Sequence, residues 1–156
     1  MKCIYWNARG LANSPSRLAL KHLILQNNPD FIFISEPWMN FEDYPRRWFH
    51  NLHYKLFAVN SKLNLLPNLW CLCKIGLEPT ILLYDSQLVA FTIDTDNKTL
   101  AFAAIYASTN YLTRRQLWNS LSTLQSQFAL PWCFIGDFNS ILGAHCNAHF
   151  VYLIIL

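Results

Sequence analysis

The sequence predicts an α+β domain in which two layers of helix lie outside a β core. Short runs of aromatic and β-branched residues recur along the chain, and the stretch 54–106 has a strand-like texture throughout. Helical patterns lie on either side of that stretch. The resulting order is strand, helix, strand, a run of strands, helix, strand, and it fits either a two-sheet sandwich or a single open sheet.

The first third of the chain predicts a strand, a helix and a second strand. Residues 2–6 are the first apolar run. Ser14 followed by Pro15 is typical of a helix start with Ser14 as the N-cap, and the helix is expected to run to about residue 26. Phe31–Ser35 is the second strand. Residues 38–53 show no clean period and indicate an irregular loop or a short helix.

Five strands, a second helix and a last strand are predicted for the rest. The strands are expected at residues 55–60, 69–74, 80–84, 88–93 and 99–106, with a turn at 94–97. Thr113 is expected to cap an amphipathic helix whose apolar side chains lie on one face. Those side chains are Leu117, Leu121, Leu124 and Phe128. Pro131 ends that region, and residues 132–135 are expected to form the last buried strand.

Composition indicates one core-heavy domain that is part of a larger protein. Of the 156 residues, 53% are hydrophobic and only 13% are charged, which is about half the typical charged share. We therefore expect another segment to cover an apolar face. The net charge of +3 permits contact with nucleic acid without requiring it. The pairs Arg46-Arg47 and Arg114-Arg115 are interpreted equally well as solvated charges or as phosphate contacts.

The cysteines indicate reduced, buried thiols in an intracellular protein. Their number is odd, at five, and most lie in or beside apolar runs. Cys71 and Cys73 alternate along one strand, so their side chains should share a face, and no second pair at zinc-site spacing accompanies them. The N-terminus lacks a signal peptide, and the apolar stretch 150–156 is too short to span a membrane. We expect a nuclear or cytoplasmic protein without membrane contact.

Three polar clusters follow buried strands and carry the functional prediction. They are Asn7 after the first strand, Glu36 after the second, and Asp137 with Asn139 after the last. Side chains just past buried strands lie at the rim of a sheet, where loops build sites. Carboxylate and carboxamide oxygens suit a hard cation such as Mg²⁺ and a phosphate ester held by it. The pattern therefore points to metal-assisted phosphodiester hydrolysis.

Each of these residues also has a plain structural interpretation. A plain turn would equally explain Asp137, Asn139 and Asn7, and Glu36 is also typical of a solvated residue at the end of a strand. Tyr106, which ends strand 99–106, is either a phosphate contact or an amphipathic tyrosine at a sheet rim. Gly136 is expected to let another group approach the backbone closely.

Other polar residues give weaker signals. Asp85 and Asp94 end strands and indicate hairpin turns. His145 and His149 have the spacing of a metal pair, but no third ligand or glutamate motif accompanies them. The sequence also contains no nucleophile elbow, no P-loop and no dinucleotide fingerprint.

Taken jointly, four motifs resemble the endonuclease/exonuclease/phosphatase superfamily, the DNase-I-like group. They are Trp6-Asn7-Ala8-Arg9-Gly10-Leu11, Ser35-Glu36-Pro37, Ile105-Tyr106-Ala107 and Gly136-Asp137-Phe138-Asn139, in the order of that family. The likeness runs from Met1 to about His145. Three stretches, 67–71, 105–108 and 131–139, are similar to the endonuclease domain of plant LINE-type (non-LTR) retrotransposons.

The resemblance implies a four-layered αββα sandwich that is incomplete at its C-terminus. Residues 1–145 would be a partial domain and residues 146–156 a divergent apolar tail. On the family pattern, Glu36 would bind Mg²⁺, with Mn²⁺ as a substitute, and Asn7 would help to hold the metal or the phosphate. Asp137 would orient or deprotonate the attacking water, while Asn139 would position the water and the phosphate, and Tyr106 would steady the scissile phosphate.

The implied activity is Mg²⁺-dependent nicking of DNA, impaired by the truncation, with a reverse transcriptase as a partner domain in the ancestral polyprotein. The chain departs from the family after Gly143-Ala144-His145, before the family's later catalytic Asp-His pair, and no role passes to His145 or His149. Two alternatives therefore stay open. One is an inactive relic that binds DNA weakly, and the other is a phosphatase or phosphodiesterase of the same fold acting on a small phosphate ester.

Overall fold

The computed structural model describes residues 1–60, 66–140 and 151–155, without side chains for Phe41 and the last segment. Its strands are β1 (Lys2–Asn7), β2 (Phe31–Ser35), β3 (Tyr54–Val59), β4 (Leu69–Lys74), β5 (Thr80–Tyr84), β6 (Leu88–Asp94), β7 (Thr99–Tyr106), β8 (Trp132–Asp137) and β9 (Val151–Ile155). Its helices are α1 (Ser14–Asn27), α2 (Arg46–Asn51) and α3 (Tyr111–Gln127), with a 3-10 turn at Phe41–Asp43.

The strands form two mixed sheets. The first sheet has the order β3-β4-β2-β1-β9, and the second has the order β5-β6-β7-β8. Each sheet contains one parallel pair, β1 with β2 and β7 with β8. These pairs place Asn7 beside Ser35 and Tyr106 beside Asp137. The carboxyl ends of parallel strands share one edge, so each sheet gathers polar residues at that edge.

Three apolar clusters define four layers. The cluster between the sheets is rich in aromatic rings, and Phe91 stacks on Phe102 at 5.2 Å in its middle. A second cluster joins the outer face of the first sheet to α1 and α2, and a third joins the outer face of the second sheet to α3. The layers therefore run helix, sheet, sheet, helix. The α+β, αββα prediction is confirmed, and the single-sheet alternative is wrong.

Both long helices are capped by a residue other than the predicted one. Asn13 Oδ1 accepts a hydrogen bond from Ser16 N at 2.8 Å, and Asn110 Oδ1 accepts one from Thr113 N at 3.1 Å. Ser14 is instead the first residue of α1, and Thr113 lies inside the first turn of α3. Asparagine, serine and threonine are all good caps, so adjacent candidates compete and the sequence alone does not order them.

Most strand predictions are confirmed, and one is incomplete. β2, β4, β5 and β7 have the predicted bounds, and the stretch 38–53 contains α2 and the 3-10 turn. β8 is not the last strand, because β9 pairs antiparallel with β1 at the edge of the first sheet. Residues 141–150, which include His145 and His149, lie outside the described residues, and the division at residue 145 stays a prediction.

Cys71 and Cys73 share one face of β4, as predicted. Both are fully buried in the cluster between the sheets, together with Cys3. Burial raises the pKa of the Cys3 thiol to about 12 and that of Cys73 to about 11. All three side chains are free thiols that act as small apolar core groups.

Candidate active site at the paired sheet edges

Asn7 and Glu36 meet at the carboxyl edge of the first sheet. Asn7 is the last residue of β1, and Glu36 directly follows β2. Asn7 Nδ2 donates a hydrogen bond to Glu36 Oε1 at 2.9 Å. The Glu36 backbone N–H donates to the Asn68 carbonyl at 2.9 Å, so the residue just before β4 also fixes this position.

Tyr106 reaches the same carboxylate from the second sheet. Its hydroxyl donates to Glu36 Oε1 at 2.7 Å, although the two residues are 70 positions apart in the chain. Burial raises the pKa of Tyr106, and the hydrogen bond and charge of Glu36 together with the charge of Asp137 raise it further. The hydroxyl therefore stays protonated and acts as a donor.

Asp137 and Asn139 lie at the edge of the second sheet. β8 is parallel to β7, with Asp137 opposite Tyr106. Asp137 Oδ1 accepts from Asn139 N at 2.9 Å, and Asn139 Nδ2 donates to the Ala107 carbonyl at 2.7 Å. This turn holds the carboxylate at the end of the strand. Structure thus brings Asn7, Glu36, Tyr106, Asp137 and Asn139 to one end of the sandwich, while their chemical roles stay predictions.

Gly136 has the close backbone approach expected of it. It pairs with Ile105, and a Cβ built on Gly136 would overlap the Ile105 backbone. Its φ of +153° is also rare for a residue with a side chain. Only glycine lets β8 lie this close to β7, one residue before Asp137.

Backbone strain is concentrated around these residues. Arg9, Glu36, Trp38 and Asn139 are non-glycine residues with φ between +44° and +52°. Glu36 also precedes Pro37, which disfavours all but extended conformations of the residue before it. Strained backbone persists only where surrounding contacts fix it, and such positions cluster at functional sites.

Sequence reasoning missed two buried polar residues, Tyr5 and Asn60, that join the two sheets. Tyr5 is 1% exposed, and its hydroxyl lies near Ser35 of the first sheet and Asp137 of the second. Asn60 is 1% exposed and donates both to Asn68 Oδ1 and to the Ser86 carbonyl of the second sheet. Tyr5 is inside an apolar run and therefore resembles a core residue. Asn60 directly follows β3, and a polar residue just past a strand is the signal that could have found it.

The other polar candidates have structural roles. Asp85 Oδ1 accepts from Gln87 N at 2.6 Å and from Leu88 N at 3.1 Å, as expected of a hairpin turn. Asp94 Oδ1 accepts from Thr99 Oγ1 at 2.6 Å. Arg114 donates to the Ser108 and Thr109 carbonyls, so this guanidinium holds the start of α3. Arg46 and Arg47 are exposed on α2.

The donor set fits a divalent cation. Within the described residues, Asn7 Oδ1 is buried and has no hydrogen-bond partner. A buried acceptor without a donor is costly, and a cation beside Glu36 would satisfy it. No cluster of three or more His, Cys, Asp and Glu side chains occurs in the described part of the chain. One carboxylate and one buried amide oxygen, those of Glu36 and Asn7, are ligands of the kind that Mg²⁺ accepts, with water and phosphate in its other positions.

Fold and site together define a class, the two-sheet αββα sandwich with an acid-amide cluster at one edge. The family model for the endonuclease/exonuclease/phosphatase family matches residues 4–145. The chain therefore belongs to the endonuclease/exonuclease/phosphatase family, and its fold is DNase-I-like.

Solved structures share this fold at low sequence identity. An AP endonuclease from Archaeoglobus fulgidus has a TM-score of 0.67 and 15% identity over 89% of this chain. The endonuclease domain of TRAS1, a telomere-specific non-LTR retrotransposon, has a TM-score of 0.68 and 13% identity over 90%. A 3'-5' exonuclease from Neisseria meningitidis has a TM-score of 0.65 and 16% identity over 89%.

This chain spans only part of those proteins. It covers 57% of the Archaeoglobus chain, 61% of the TRAS1 domain and 58% of the Neisseria enzyme. Among curated proteins, none matches the chain significantly. Within the described residues, the helices are too short or too polar for a membrane crossing.

Proposed function

We propose that this chain is a Mg²⁺-dependent phosphodiesterase that nicks DNA, derived from the endonuclease domain of a plant LINE-type retrotransposon. The observation that carries the proposal is the shared carboxylate of Glu36, which accepts from Asn7 and Tyr106 at 2.9 and 2.7 Å. Three distant chain segments thus meet at one acid, with Asp137 on the strand beside Tyr106. The motifs of the plant LINE branch at residues 67–71 and 131–139 support the origin.

Glu36 and Asn7 Oδ1 would hold the cation. When bound, Mg²⁺ withdraws charge from the phosphoryl oxygens and so favours attack by water. Asn7 Nδ2 and the Tyr106 hydroxyl orient the Glu36 carboxylate through their hydrogen bonds to Oε1. The Asn7 side chain uses its nitrogen to bond Glu36, and its oxygen Oδ1 remains available. The same amide can therefore position the acid and contribute an oxygen to the cation.

Asp137 is the proposed acceptor of the proton from water. Its carboxylate is oriented by the Asn139 N–H, and its strand is fixed against β7 through Gly136. Asn139 holds its own turn through the Ala107 carbonyl and would position the water and the phosphate. Tyr106 stays protonated because its pKa is raised, so its single O–H, which donates to Glu36 here, would donate to a phosphate oxygen when substrate is bound.

Relaxation of supercoiled plasmid by the purified chain tests the proposal. Wild type should nick DNA with Mg²⁺ and stop when a chelator is added. Glu36→Gln should lower the rate about 100-fold or more, since it removes the charge that holds the cation. Tyr106→Phe removes a charge-assisted hydrogen bond of about 1.5–3 kcal/mol and should lower the rate about 10- to 100-fold. Glu42→Gln is the matched control, because Glu42 is an exposed acid on the 3-10 turn.

Three outcomes would overturn the proposal. Nicking by Glu36→Gln at the wild-type rate would show that the activity comes from elsewhere. Salt-sensitive DNA binding without any nicking would favour the inactive relic. Hydrolysis of a small phosphate ester with intact plasmid would assign a different substrate class to the same site.

A further inference from the structure

Trp38 is a large aromatic side chain held in solvent beside the site. It is 64% exposed, follows Glu36 by two positions and has a φ of +47°. An isolated exposed aromatic residue is common on protein surfaces. An exposed aromatic residue with left-handed backbone at the rim of a candidate site is uncommon, because that backbone conformation costs free energy for a bulky residue.

The loop that carries Trp38 is fixed rather than loose. Its backbone is bonded to the loop after β1 at three successive positions, each at 2.9 Å. These bonds run from Ala8 N to Ser35 O, from Gly10 N to Glu36 O and from Leu11 N to Pro37 O. The indole ring lies against Gly10, where a Cβ would be 3.4 Å from Trp38 Cε3. The ring thus lies near the Gly10 backbone at Cε3 while most of the side chain stays in solvent.

Arg9 adds a positive charge to the same loop. It precedes Gly10, is exposed and has a φ of +44°. Its charge acts on Tyr106 and opposes the rise that burial imposes on the pKa of that hydroxyl. Arg9 therefore lies within electrostatic range of Tyr106, one residue before the Gly10 that Trp38 lies against.

We propose that Trp38 stacks on an unstacked base of the nucleic acid whose phosphodiester lies at Glu36 and Tyr106, with Arg9 on a neighbouring phosphate. The proposal rests on the proposed function and names its preferred substrate as DNA with an unpaired base near the cut. Every base offers a π-face, so a rigid indole recognises the absence of pairing rather than a sequence. A fixed aromatic ring also loses little side-chain entropy when it binds, and the adjacent cation matches the charge of the backbone.

Binding without divalent cation separates this inference from catalysis. Fluorescence anisotropy in chelator would compare two labelled DNAs, a fully paired duplex and the same duplex with one bulged thymine. Wild type should prefer the bulged duplex. Trp38→Ala should weaken binding to the bulged duplex about tenfold and change binding to the paired duplex less than twofold. Trp38→Phe keeps a ring and should retain most of the preference.

Leu25→Ala is the matched control. Leu25 has the same exposed fraction, 64%, but lies near the end of α1, which leads into the start of β2 at the opposite edge of the first sheet. It should leave both affinities unchanged. Equal losses on both duplexes in Trp38→Ala, or no loss on either, would overturn the inference. A wild-type protein that binds the bulge but never nicks plasmid would refute the proposed function and leave the stacking intact.

Discussion

The contact between β7 and β8 at Gly136 gives the sharpest test of this structure. In Gly136→Ala the new methyl group would overlap the backbone of Ile105, which cannot rotate away as a side chain can. Overpacking costs about 1–3 kcal/mol where side chains can adjust. We therefore expect a loss of unfolding free energy at or above the top of that range, about 3 kcal/mol.

Gly76→Ala is the internal comparison, because it separates strain from overlap. Gly76 has a φ of +102°, yet nothing lies within 4 Å of its potential Cβ. This variant pays only the conformational cost of an L-residue with positive φ, about 1–2 kcal/mol. The difference between the two variants therefore measures how closely β8 approaches β7.

Equilibrium unfolding in urea, followed by tryptophan fluorescence and circular dichroism, measures both variants. With a typical slope of about 1–3 kcal/mol per molar urea, a loss of 3 kcal/mol lowers the midpoint by about 1–3 M. On the proposed function, Gly136→Ala should also nick plasmid more slowly, since displacement of β8 would move Asp137 away from Tyr106. The reasoning is refuted if Gly136→Ala is no less stable than Gly76→Ala. If Gly136→Ala fails to fold and Gly76→Ala folds, the reasoning is also supported, because the loss of unfolding free energy then exceeds the total stability.

Two further predictions concern the helix caps and alkaline pH. Asn13→Ala and Asn110→Ala should each lower the unfolding free energy by about 1 kcal/mol. Ser14→Ala and Thr113→Ala should change it by less than half as much. Equal losses in the same urea titration would contradict the observed caps. Burial raises the pKa of several phenols and thiols in the folded chain. The groups are Cys3, Tyr5, Tyr44, Tyr54, Cys71, Cys73 and Tyr106. Because the unfolded chain releases these protons first, near the ordinary values of 9.0 and 10.0, stability should be fully present below about pH 8.5 and decline as the pH rises towards 11–12. Urea midpoints that do not fall between about pH 8 and pH 11 would argue against this burial.

Strands with one strongly apolar run were predictable because burial and pleat fix their composition. Phe31–Ser35 and Leu69–Lys74 appear in the structure with the expected bounds. The pairing between strands was not predictable, since an apolar run does not specify which strand lies beside it. The pairing of β9 with β1 joins segments almost 150 residues apart, so no local pattern indicates it.

The candidate site was predictable to the extent that its residues end strands. Asn7, Glu36, Tyr106 and Asp137 all stand where an apolar run stops, and the parallel pairs bring those ends together. Trp38 was not singled out, because what distinguishes it is a backbone angle and an exposed fraction, which a sequence does not display. Tyr5 was missed for the opposite reason, since deep burial makes a hydroxyl look like part of the core.

The sharing of one carboxylate between two sheets has a consequence for synthesis. β1 to β4 belong to the first sheet and precede β5 to β8 of the second in the chain. A nascent chain that has emerged only through β4 already holds Asn7 and Glu36, but neither Tyr106 nor Asp137. The polar edge is therefore complete only when the two sheets have docked, so no partly translated chain presents the whole of the proposed site.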